Sequence, residues 1–190
     1  MRIRIASLSV AVGLAMISLP TAPATAKPYD SGTYEYQFQD NFHDCGLRLH
    51  ANETGHGRYA DRTVRGSDGQ AFLNHNNYWF HQVITNRDNG KWLVASGHAL
   101  FKELKATHIS GDIWEFTSHE TGQPFVLSDS GGKVVLRDRG LIAYRAQFDT
   151  LGDGQPGGEP VGDGAVTMIA GPHPGLDHRA FCEAVLDVIG

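Results

Sequence analysis

The chain has 190 residues, 41% of them apolar, and 16 Lys and Arg against 21 Asp and Glu give it a net charge of −5. That balance repels phosphate backbones and no basic stripe with interleaved aromatics occurs, so nucleic acid is excluded as a natural partner. Beyond the N-terminal segment no stretch approaches the ~18 apolar residues of a membrane-spanning helix.

The first predicted element is an address. Arg2 and Arg4 precede a largely apolar, uncharged run over residues 5–19; Pro20 breaks it, and Ala24-Thr25-Ala26 supplies the small residues after which a signal peptidase cuts. The pattern predicts a secretory signal peptide over residues 1–26, too short to be a stable anchor, and a secreted or envelope-associated product. The mature chain, residues 27–190, is the size of one domain. Loss of Arg2 and Arg4 from the 16 basic residues leaves 14 against 21 acidic ones, and the resulting −7 suits a soluble exported protein.

From residue 30 the period is two. Tyr34, Tyr36, Phe38 and Phe42 oppose Glu35, Gln37, Gln39 and Asn41; Trp114 and Phe116 alternate with Glu115 and Thr117; Ile142, Tyr144, Ala146 and Phe148 alternate with Arg145, Gln147 and Asp149. These are patterns of half-buried antiparallel strands. Turn-forming clusters punctuate them: N-E-T-G-H-G, G-S-D-G, N-R-D-N-G, I-S-G-D, H-E-T-G-Q-P, S-D-S-G-G and D-R-G. Read as hairpins, they divide the chain into eight to ten strands. Two long strands, 70–86 and 91–107, flank the turn Arg87-Asp88-Asn89-Gly90, and Gly97 is placed to bend or bulge the second. A meander of long, bent strands predicts a mainly β fold, a single antiparallel β-barrel, since closure removes exposed edges; a β-sandwich is the alternative. Residues 152–164, rich in Gly, Pro and Asp, form a loop between the last two strands. From Asp177 the spacing becomes helical, with Phe181, Ala184, Val185, Val188 and Ile189 on one stripe, which predicts a C-terminal helix over 177–189 with Asp177 as its N-cap.

Cys45 and Cys182 are the only cysteines. In an oxidising compartment an even pair forms a disulfide, which here would clamp the terminal helix to the barrel. A catalytic Cys–His pair would instead leave the second thiol unpaired.

Several features occur together: the export signal, Cys45-Gly46-Leu47 entering an early strand, G-x-x-x-F-K-E-L from Gly97 to Leu104, the D-S-G-G-K hairpin, a late acidic loop, and Phe181-Cys182 in a terminal helix. In this combination the chain resembles a group of secreted actinobacterial proteins with no established activity. The resemblance spans most of residues 40–188. It implies export, a mainly β fold and the disulfide, and it brings no catalytic residues.

Motifs that suggest chemistry have simpler readings. S-D-S-G-G is one residue from the nucleophile loop of trypsin-like proteases, but Ser128 stands where that loop needs Gly, and His98 is too close in sequence to Ser130 for that two-barrel fold. A hairpin tip is the expectation. The ten histidines include no H-x-H or H-E-x-x-H; His75 and His81 are about 20 Å apart along one strand, and only a cross-strand pair such as His81 with His98 could approach. No metal or cofactor is implied. Residues 149–160 miss an EF-hand loop at two ligand positions, Leu151 and Pro160. Asn52-Glu53-Thr54 is a glycosylation sequon by pattern alone.

The 70–86 segment carries aromatics on both faces with amides among them. Asn76, Tyr78, Trp79, His81 and His98 are the candidate lining of a ligand cavity. The functional expectation is a secreted, non-enzymatic β-barrel that binds a small, partly apolar molecule. The alternatives are a secreted enzyme with a polar site inside the barrel and an envelope-associated interaction protein.

Overall fold

The computed structural model describes residues 29–190; the signal peptide expected over residues 1–26 lies outside them. Eight strands follow one another: β1 (Asp30–Asp44), β2 (Leu47–Thr63), β3 (Phe72–Asn86), β4 (Trp92–Ser110), β5 (Ile113–Asp129), β6 (Val134–Arg137), β7 (Gly140–Asp149) and β8 (Glu159–Ala170). A 3₁₀ turn, Pro174–Leu176, leads into helix α1 (His178–Ile189). All ladders are antiparallel in the order β1-β2-β3-β4-β5-β7-β8, with β6 pairing the end of β5. The fold is therefore mainly β with one C-terminal helix, built on one sheet and not on the two of a sandwich. Among the described residues no ladder joins β1 to β8, so the hydrogen-bonded path stays open where a barrel would close it.

The sheet is nonetheless strongly curled. In a flat sheet β2 and β7 would stand four strand spacings, about 19 Å, apart. Here Asp61 of β2 and Phe148 of β7 line one cavity of about 290 Å³, together with residues of β3, β4 and β5. Bulges in β4 permit the bend: the β4–β5 register slips between Ser96 and His98, between Glu103 and Lys105, and between His108 and Ser110. Gly97 sits at the first slip, as its position implied.

Two of the expected turns are not turns. N-E-T-G-H-G lies in the middle of β2 and H-E-T-G-Q-P inside β5, which reduces the strand count to eight. The glycines there serve close approach. Gly55 faces Tyr36 and Gly57 faces Tyr34 across the β1–β2 ladder, and a Cβ on either would lie about 2.5 Å from the tyrosine ring or hydroxyl. The loop expected over 152–164 is shorter, because β8 already begins at Glu159. β8 is an exposed edge strand along its whole length, so its Gly- and Asp-bearing sequence carries no inward alternation to read.

The true turns follow backbone chemistry. Cys45 and Gly46, both at positive φ, close the β1–β2 hairpin between the paired Asp44 and Leu47. In S-D-S-G-G, Asp129 Oδ1 accepts the Gly131 and Lys133 N–H groups, so Ser130 stands exposed at a hairpin tip.

The inward face has two apolar ends. One is Leu49, Ile84, Leu93, Ala95, Leu127 and Leu136, on which α1 lays Val185 and Ile189. The other is Ala71, Trp114 and Phe116, backed by Phe148. Asp177 caps α1 through the Arg179 and Ala180 N–H groups, and Asn86 Nδ2 donates to the Ile189 carbonyl at 2.8 Å, satisfying one carbonyl of the helix end. The Cys45–Cys182 disulfide ties the β1–β2 turn to the first turns of α1. No helix of the described residues is long and apolar enough to cross a membrane.

Candidate functional site

Between the two apolar ends the same inward face turns polar. Strand parity places Asn74, Asn76 and Tyr78 of β3, Glu103 of β4, Ser118 and Glu120 of β5, and Tyr144 of β7 on the side that carries Phe72, Phe116 and Phe148. Hydrogen bonds link this face across one strand spacing or two. Tyr34 donates to Asn76 Oδ1 at 3.0 Å, Tyr36 and Gln82 donate to Glu53 at 2.6 and 2.8 Å, and Tyr78 and Tyr144 both donate to Glu120, at 2.5 and 3.0 Å. A face that held only packing would use apolar residues here, because each buried polar group must find a partner.

Three adjoining cavities run along this belt. The first, about 290 Å³, is walled by Phe72, Phe116, Phe148 and Pro156, with Asp61, Asn74 and Glu103 as its polar groups. The second, about 310 Å³, shares Glu103, Phe116 and Phe148 with the first and reaches Glu120 and Tyr144. The third, about 400 Å³, shares Glu120 and Tyr144 with the second and runs under α1 to Phe181 and His178. The residues 150–158 loop reaches over the first through Pro156, Gly157 and Gly158; Thr150 anchors it on the Asp112 carbonyl, and Tyr29 Oη donates to the Gly154 carbonyl at 3.4 Å.

Asn74 organises the end of the trough at the first cavity. Its side-chain Nδ2 donates to Asp61 Oδ1 and its backbone N–H to Glu103 Oε2, each at 2.7 Å. Burial pushes the Glu103 carboxyl up to about 7; the nearby Asp61 charge adds to the rise and the Asn74 N–H opposes it. Burial also raises the hydroxyls of Tyr78 and Tyr144, as does their shared partner Glu120.

The Glu103 shift fixes a sign for stability. Its pKa is about 7 in the folded chain against an ordinary 4.5, so between those values the native state binds more protons and stability falls as pH rises. The loss is complete above about pH 7 and amounts to on the order of 3 kcal/mol. Glu103→Gln keeps an acceptor for Asn74 but cannot ionise. Urea unfolding at pH 4.5 and pH 8 is expected to show the native chain losing about that much more stability than the variant; equal losses would contradict the assignment.

The five residues read from the sequence as a cavity lining divide between the two faces. Asn76 and Tyr78 point into the trough. Trp79, His81 and His98 lie on the opposite face, because neighbouring residues of a strand point in opposite directions. There Trp79 stacks between His56 and His98, with centroid distances of 5.1 and 4.5 Å across β2, β3 and β4. His98 pairs in register with Trp79 and His81 with Ser96, so the two histidines are not directly opposed. Asp61, Glu103, Glu120 and Tyr144 are the lining residues that the sequence did not single out. The signal was a polar side chain in step with an apolar strand face.

Other candidates resolve simply. His98 pairs with Gln123 of β5, seven residues before Ser130 in the turn that follows the strand, and so is about 23 Å from it along an extended strand. Ser130→Ala is expected to change stability by less than ~0.5 kcal/mol, and a fluorophosphonate probe to leave Ser130 unlabelled; labelling that His98→Ala abolishes would contradict the hairpin reading. Asp149 and Asp153 each accept the backbone N–H two residues on, an arrangement of turns in the 150–158 loop. Among the described residues, Asp44, Cys45, His178 and Cys182 bring their ligand atoms within 4.8 Å of one another, but both sulfurs are joined in the disulfide and His178 Nε2 lies 3.0 Å from Asp44 Oδ1.

No protein-family model, curated protein or solved structure matches the chain.

Proposed function

We propose that this is a secreted binding protein which holds a small, partly apolar molecule in the trough on the inner face of its curled sheet. The observation that carries the reading is the polar belt itself: carboxylates, amides and tyrosines stand between two apolar ends, and the space there is cavity, not packed side chain. Export is supported by the signal sequence, the disulfide and the resemblance to secreted actinobacterial proteins.

Melting of residues 27–190 against a panel of metabolites, lipids and metal ions tests it. A ligand present at a hundred times its Kd stabilises by ~2.7 kcal/mol, a shift of roughly 5–10 °C for a domain of this size. Ala146→Phe, which fills the middle cavity lined by Ala146, is expected to melt cooperatively and lose the shift. Silence across the panel would contradict the reading and favour an interaction protein acting through the exposed edge of β8.

A second reading, a secreted enzyme, has one observation in its favour: Glu103, raised to about 7 beside Asp61, has the properties of a general acid. In that case Glu103→Gln would abolish turnover of a bound compound while leaving it bound.

A further inference from the structure

The chemistry of the first cavity narrows the class of molecule, on the footing that the trough binds a ligand. Three aromatic rings form its walls: Phe72, against which Tyr29 packs at 4.6 Å, and the edge-to-face pair Phe116 and Phe148 at 5.8 Å. Two carboxylates enter between them. Asp61 is 6% exposed, and only one of its oxygens is engaged, by Asn74 Nδ2. Glu103 likewise accepts at Oε2 alone. Among the described residues no side chain donates to Asp61 Oδ2 or Glu103 Oε1, and no Lys, Arg or His forms an ion pair with either group. Among the described residues the fully enclosed, unpartnered side-chain N and O atoms belong to Trp114 and His173, so neither free oxygen is fully enclosed.

A buried carboxylate without a countercharge is costly, and a pair of them is more so. Elsewhere on the belt the chain supplies partners: Glu120 has two tyrosines and Glu53 a tyrosine and an amide. At Asp61 and Glu103, which line one cavity with three phenylalanines, it leaves one oxygen of each without a partner. Aromatic rings are better neighbours for a cation than for an anion, because the ring face carries negative charge. The missing positive charge is therefore one that a ligand brings.

We infer that the cavity between Asp61 and Glu103 takes an organic cation, a protonated amine carrying an apolar group, with the ammonium between the two carboxylates and the apolar group among Phe72, Phe116 and Phe148. At about 290 Å³ the cavity suits a single ring with a short chain, and the adjoining space toward Tyr144 leaves room for a longer body. The charged group that acts on Glu103 is Asp61 from β2; Glu120 from β5 and Arg145 from β7, the latter paired with Glu115, line the adjoining cavity with it. Asn74 from β3, Ser118 from β5 and Phe148 from β7 face it without charge. Protonating Glu103 removes half of the anchor, so binding weakens as pH falls below about 7.

Three probes of one shape test this by calorimetric titration of residues 27–190: 3-phenylpropylamine, 3-phenyl-1-propanol and 3-phenylpropionate. At about pH 8.5 the amine is expected to bind at least tenfold more tightly than the alcohol, with the carboxylate weakest; at about pH 5.5 the amine is expected to lose most of that advantage. Glu103→Gln should weaken the amine at least tenfold and leave the alcohol within about twofold. If that variant does not fold, the pH comparison on the native chain decides alone. Alcohol binding as tight as amine binding would overturn the cation assignment and leave the trough as a neutral binding site. Absence of binding by all three would also overturn it, and the broader panel with Ala146→Phe would then decide separately whether the trough binds anything.

Discussion

Reducing the Cys45–Cys182 disulfide is expected to lower the melting temperature of residues 27–190 by on the order of 10–20 °C. The two cysteines are 137 residues apart in sequence, so the bond closes nearly the whole folded chain. On the chain-entropy model so long a loop is worth ~4–5 kcal/mol, and each ~1 kcal/mol moves a domain of this size by roughly 2–4 °C. The bond also does local work. Cys45 occupies a positive-φ position in a two-residue turn, and Cys182 lies in the helix whose Val185 and Ile189 cover the apolar end of the sheet. Without the bond that helix is held by packing and by Asn86 and Asn89, which both donate to its last carbonyl, that of Ile189. Calorimetry with and without a phosphine reductant measures the effect, and the Cys45→Ser, Cys182→Ser double variant should reproduce it. A shift below about 2 °C, or thiols that titrate in the native state, would mean the clamp contributes little.

Gly97→Ala is expected to cost ~3 kcal/mol, an effect out of scale with one methyl group. A Cβ at this position would lie 2.3 Å from both the Phe80 ring and the Pro124 carbonyl oxygen. The ring can turn aside, but the carbonyl belongs to the backbone of β5 at the point where the β4–β5 register slips. The added methyl therefore forces the two strands apart in the bend that curls the sheet round the trough. Gly131→Ala, where the nearest atom is an Asp129 carboxylate oxygen at 3.3 Å on an exposed turn, provides the control and should stay within ~0.5 kcal/mol. Urea midpoints of the two variants measure the difference. Equal midpoints would show that the bulge has slack.

Glycine is also where the sequence misleads. Gly55, Gly57 and Gly122 sit in clusters composed like turns, and local chemistry alone reads them as hairpins. In the fold they are strand residues: the first two lie under the rings of Tyr36 and Tyr34, and Gly122 lies against Ala99 with φ of +122°. A glycine that makes a turn and one that admits a neighbour's ring look alike until the pairing register is known. By contrast, the period of two on Tyr34, Tyr36 and Phe38, and again on Ile142, Tyr144 and Phe148, was legible because one face is buried and the other is not. The helix was legible for the same reason, from Phe181, Val185 and Ile189.

The site was less legible. Following the inward parity of Trp114 and Phe116 two further steps leads to Ser118 and Glu120, polar residues where an ordinary core would continue apolar, and that break in pattern is a sequence signal for the trough. Glu103 is harder to find. The register slip before Lys105 means that parity counted back from Ala106 assigns Glu103 to the wrong face, and no local property of Leu104 or Lys105 announces the slip. Trp79, His81 and His98 stand out by the chemistry of their side chains alone. Strand parity separates them from Asn76 and Tyr78, and parity follows from sequence position alone.

Backbone amide chemical shifts of residues 27–190, titrated with whichever compound of the panel stabilises the chain most, test most directly whether the trough is a binding site. The expected result is a set of saturable shifts centred on Asn74, Glu103, Phe116, Glu120 and Phe148, which lie on four different strands and meet only in the trough. Shifts centred instead on His56, Trp79 and His98, on the opposite face of the sheet, would contradict it.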